Sequence, residues 1–159
     1  MEQFKIDFLS SDLVPLLKKL PADQRGKWGV MSGQQMVEHF IKAIENASGR
    51  LVLPQTNYGE RLQKFRDFLM SDIPFKENTK NPLMDEAGAP LQFPDMAAAI
   101  EKLQEELTYF FETFKNNPSL QTSNPFFGDL SFEQNVQLLY KHSRHHLTQF
   151  GLLEPGNRK

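Results

Sequence analysis

Six large apolar residues, Met96, Ile100, Leu103, Leu107, Phe110 and Phe114, follow one another at alternating steps of four and three. A β-strand would scatter them over both faces, because its side chains alternate with period two. A helix gathers all six into one seam close to the 3.5-residue repeat of packed helices. The helix predicted from them runs Asp95–Asn116 and stops at Asn116-Asn117-Pro118. Such a seam needs other apolar faces to pack on, and three further segments offer them.

Ser131–Phe150 reads as one helix with both ends marked. Ser131 and Gln134 form a capping-box pattern, and Gly151 sits where a left-handed residue ends a helix. Phe132, Val136, Leu139, Ser143 and Phe150 share its buried stripe. Ser32 and Gln35 repeat the box ahead of Ser32–Ser48, with Met36, Val37, Phe40, Ile41 and Ile44 on one face and Gly49 at the end. Glu60–Met70 carries Leu62, Phe65, Phe68 and Leu69 at helical spacing. A short helix from Ser11-Asp12 to Lys19 precedes them, with Pro15 in its first turn. No strand-like alternation appears. The fold class expected is all-α: an up-and-down four-helix bundle with a short extra N-terminal helix, in one domain over residues 1–159. Residues 71–94 hold four prolines and little periodicity, and are read as a long loop covering one end of the bundle.

Composition excludes several kinds of chemistry. With no cysteine, the chain has no disulfide, thiolate ligand or cysteine nucleophile of its own. A net charge of −2 and the lack of a Lys/Arg block argue against nucleic acid. The first twenty residues have neither a signal-peptide core nor a membrane span, so a cytoplasmic location is expected.

The four histidines stand on two of the capped helices. His142 and His146, spaced i, i+4, project one above the other and can grip one ion; His39 flanks the stripe of the other helix. Catalytic zinc is held by three protein ligands, a number these residues supply. Ordinary helix-flank histidines are the competing reading, and spacing alone leaves both open. His145 points roughly 60° or more away, toward solvent. The His-Glu-x-x-His protease pattern is missing because Ser143 follows His142. Glu38 falls on a solvated face, Ser143 on the packed stripe bonded to a carbonyl, and Asn135 and Gln149 on the histidine side, where they are candidates to orient the rings. Metal uptake by ordinary imidazoles is expected to fall below about pH 6.5.

Three stretches, Trp28–Phe40, Asn124–Ser131 and His142–Gly151, resemble the DinB-like superfamily of metal-binding four-helix bundles. They are most similar to a subfamily of undefined function with a tryptophan-serine-glutamine lead-in, an Asn-Pro-Phe-Phe-Gly-type turn and a Lys-His-x-x-His-His-Leu-x-Gln-Phe-Gly-type ending. The resemblance implies His39, His142 and His146 as ligands of a divalent metal, zinc or nickel. It also implies a thiol S-transferase or hydrolase-like enzyme in which the metal activates a low-molecular-weight thiol or water toward a small-molecule substrate, and a homodimer. Catalytic side chains beyond the ligands are not indicated. The alternative is a non-catalytic, metal-stabilised bundle serving as a binding module.

Overall fold

A computed structural model describes residues 2–77 and 89–155 of the chain. The long helices begin where their caps place them. In α3, Gly33–Ser48, the Ser32 hydroxyl accepts from the Gln35 N–H at 3.2 Å, while the Gln35 side chain accepts from the Ser32 N–H at 2.8 Å. The same reciprocal pair, Ser131 with Gln134, opens α6, Phe132–Gln149. Asp95 accepts from the Ala98 N–H at 2.8 Å to start α5, Met96–Asn116. α4 spans Gly59–Met70. Gly49 closes α3 at φ +88°, a left-handed conformation that costs glycine nothing sterically.

Two features differ from the elements expected, and one of them departs from all-α. The first is at the N-terminus, where helix begins earlier than Ser11: α1 covers Gln3–Asp7, a π turn covers Phe8–Asp12, and α2 covers Leu13–Leu17. The widened turn lies just ahead of Pro15, which has no N–H for the ladder. The whole segment persists because Phe8, Leu9, Leu13 and Leu17 are buried. The second is a small antiparallel hairpin. β1, Thr122–Asn124, pairs with β2, Gly128–Leu130, in the register Thr122↔Leu130 and Asn124↔Gly128. The Asn124 side chain accepts from the N–H groups of Phe126 and Phe127 at 2.9 and 3.1 Å and shapes the turn. Strands of three residues are too short to show alternation, so they escape a periodicity argument. The fold is mostly helical with this one sheet among the described residues.

α3 and α5 make the most extensive helix–helix contact, and α6 packs against α3, α4 and α1. That position makes α6 more buried than one amphipathic stripe would be: every residue from Asn135 to Lys141 is enclosed. The polar members are satisfied mainly by backbone carbonyls, with side chains helping at Asn135 and Gln137. Asn135 donates to the Thr122 hydroxyl at 2.9 Å and to the Leu130 and Ser131 carbonyls. Gln137 donates to Leu69 O at 2.9 Å, and Lys141 Nζ donates to Phe68 O at 2.8 Å and Ser71 O at 3.3 Å. Lys141 thereby neutralises the carbonyl end of α4. Burial lowers its pKa to about 8, with Asp72 opposing. A smaller apolar cluster of Leu69, Phe127, Leu130 and Leu138 joins α4 and the hairpin to α6.

The seam read from the sequence is buried along its length from Ile100 to Phe114. Phe110 is fully enclosed, with the rings of Phe111, Phe114 and Phe132 at 5.2, 5.2 and 5.8 Å. Phe110→Ala is therefore expected to cost about 3–5 kcal/mol, read by urea unfolding. A loss below about 1 kcal/mol would show that this layer is not tightly packed. Among the described residues, no helix is long and apolar enough to cross a membrane.

Candidate metal centre

One turn of α6 places His142 and His146 side by side, with ring centroids 4.6 Å apart. α3 presents His39 to both of them, its ring at 77° to the first and 83° to the second. All three turn the same atom inward. The Nε2 of His142 lies 3.2 Å from that of His39 and 2.8 Å from that of His146. The three ligand atoms lie within 4.8 Å of one another, and no other group of three histidines or carboxylates converges in this way among the described residues.

A tetrahedral ion with bonds of about 2.0–2.1 Å separates its ligand atoms by about 3.3 Å. The 3.2 Å spacing meets that value, and the 2.8 Å pair reaches it by opening about half an ångström. The donor set therefore has the geometry to hold a metal ion.

The site is partly shielded from water. His146 is 5% exposed, and His39 and His142 are half-buried. Phe40 packs edge-on to His142 at 5.2 Å, and Phe75 approaches His142 edge-on at 6.2 Å. Burial is the main cause that pulls the His39 pKa from 6.5 to about 4, helped by Lys42 and His145. It holds His142 and His146 well below 6.5, with the neighbouring histidines adding to it. In the metal-free fold the rings are thus mostly neutral at pH 6.5, and any metal uptake by them is expected to be lost at lower pH than ordinary imidazoles would give.

A buried amide supports the site from behind. Gln149 Oε1 lies 2.8 Å from His146 Nδ1, and its Nε2 donates to the Trp28 carbonyl at 2.9 Å. Of the two residues expected beside the ligands, Gln149 makes the contact. Asn135 is spent on the hairpin instead, because it lies three turns away from His146 at the level of Thr122.

His145 stays out of the ligand cluster, as the helical wheel predicts, but it does not face solvent. It is half-buried between Trp28 and Phe75, with ring centroids at 5.6 and 6.1 Å, and bonds to the backbone of Phe75. Burial lowers its pKa while Phe75 and Glu77 raise it. Its neighbours come from distant segments that a wheel of α6 alone cannot show. Glu38 likewise is not simply solvated: its carboxylate accepts from the Gln34 amide at 3.0 Å and from the Gln92 N–H at 2.7 Å. Ser143 donates to the Tyr140 carbonyl at 3.0 Å and is buried, as read.

The cover expected from residues 71–94 falls partly outside the described residues, at 78–88. Its two described flanks reach α6 and α3. Phe75 stands edge-on to His142 and His145, while Phe93 O and Ala89 O accept from Gln34 and Gln35 at 2.9 and 3.1 Å. Phe75 had no sequence signal, since it stands outside any periodic segment. Comparison of the chain with protein-family models, with curated proteins and with solved structures gave no match.

Proposed function

We propose that the chain is a metal-dependent enzyme built on an up-and-down four-helix bundle. One divalent ion, zinc or nickel, is held by His39, His142 and His146. The enzyme uses it on a small-molecule substrate together with a low-molecular-weight thiol or water. One observation carries the reading: three imidazole Nε2 atoms from two helices converge, and among the described residues no fourth protein ligand joins them. Structural zinc is closed by four protein ligands, whereas three leave a position for a reacting group.

A bound ion of this kind supplies Lewis acidity that lowers the pKa of a thiol or water. The chain's own contribution is to hold the three rings neutral and facing one point. Phe40 and Phe75 limit water around them, so electrostatic attraction there is less screened. Because the chain has no cysteine, any thiol must enter as a ligand. The resemblance at Trp28–Phe40 and His142–Gly151 favours a thiol over water.

The test is removal of the ion. The apolar core draws on α2, α3, α5 and α6 and does not depend on the histidines. Chelation should leave helical circular dichroism intact with a cooperative melt. Thiol-transfer or hydrolytic turnover, screened with several thiols and electrophiles, should vanish on chelation and return with zinc or nickel. A metal-free protein that loses its cooperative melt would make the ion structural and the binding-module reading the better one.

A further inference from the structure

We infer that Gln149 is a positioning residue for the metal centre, selecting the tautomer of His146 that leaves Nε2 free for the ion, and that the Arg25–Ser32 loop is the strap that holds it. The inference rests on the metal reading above.

Which way the amide faces is settled by its other partner. The Trp28 carbonyl can only accept, so the NH2 of Gln149 turns to it, 2.9 Å away. That leaves Oε1, an acceptor only, facing His146 Nδ1 at 2.8 Å. The ring must then carry its proton on Nδ1, and the Nε2 lone pair points toward His39 and His142. With the opposite tautomer, Nε2–H would occupy the ligand position and Nδ1 would oppose the amide oxygen.

The loop is shaped to keep this amide in place. An antiparallel bridge between Arg25 and Ser32 closes its base. Its Lys27 N–H donates to the Gln149 carbonyl at 2.7 Å, and Gln24 beside it donates to Phe150 O at 3.1 Å. Two glycines make the room. A Cβ on Gly26 would stand 2.9 Å from Gln149 Cγ, and one on Gly29 would stand 2.8 Å from Gln149 Nε2. Gly29 also sits at φ +77°, where a side chain is strained in any case. Gln149 itself is 4% exposed, so no water replaces these partners at low cost.

A buried amide that merely fills space would leave metal affinity unchanged, and that difference is the test. Zinc titration of the purified full chain, by calorimetry, compares wild type with Gln149→Leu, Gln149→Glu and Gly29→Ala. Gln149→Leu removes both hydrogen bonds at similar volume and should weaken zinc binding about 10–100-fold. Gln149→Glu keeps an acceptor on Nδ1 and should stay nearer to wild type than leucine does. Gly29→Ala touches no ligand, yet should weaken binding by displacing the amide. Long-range proton–nitrogen correlation spectra of the metal-free wild type give a variant-free readout, expected to show His146 with Nδ1–H.

Wild-type His146 carrying Nε2–H, or zinc binding unchanged in Gln149→Leu, overturns this inference alone. A wild type that takes up neither zinc nor nickel overturns the metal reading and this inference with it.

Discussion

His142→Ala should remove most of the metal affinity, because His142 Nε2 is the atom nearest to both other ligands, at 3.2 and 2.8 Å. Structural zinc in zinc-finger peptides binds with roughly 10–16 kcal/mol; shared among its four ligands, one is worth about two to three orders of magnitude in affinity. His145→Ala is the matched control. It changes the next ring along the helix, which lies against Trp28 and Phe75 rather than in the cluster. Calorimetric titration with zinc should show near-complete loss for the first variant and a retained site for the second. The opposite pattern would mean that the convergence of the three Nε2 atoms does not describe the binding site.

The second large effect is on stability in acid. In the unfolded chain a histidine titrates near 6.5, while in the metal-free fold burial holds His39 near 4 and His142 and His146 well below 6.5. Between those values the unfolded chain binds protons that the fold refuses, so stability falls as pH falls. The contribution is fully present above about pH 6.5 and is lost progressively toward pH 4. His39 alone accounts for about 3 kcal/mol over that interval, and the other two act in the same direction. Against a typical total of about 5–15 kcal/mol, that is a large fraction of the stability of the metal-free protein in mild acid. Urea midpoints of chelated protein measured from pH 7 to pH 4.5 should drop steeply, and His39→Asn should flatten part of the slope. Midpoints constant over this range would show that the histidines are not desolvated as described.

The sequence by itself determined the elements whose causes are local. Capping boxes act over three residues, so Ser32 with Gln35 and Ser131 with Gln134 announced the starts of α3 and α6, and the observed reciprocal bonds follow. The alternating steps from Met96 to Phe114 announced the core face of α5 because helical periodicity is a property of one segment. The i, i+4 pair His142 and His146 and the flanking position of His39 were legible for the same reason.

What only the tertiary structure decided is which segments meet. Asn135 and Gln149 lie on one side of α6, yet the hairpin claims the first and the Trp28 carbonyl the second. His145 points away from the ligands as the wheel requires, but Trp28 and Phe75 arrive from elsewhere to cover it. The enclosure of α6 from Asn135 to Lys141 arises because neighbours pack on more than one of its sides, which no single helical wheel can register. A side chain's direction is set by its own backbone, whereas its partner is set by chain closure over tens of residues. Facing was therefore written in the order of the residues, and contact was not.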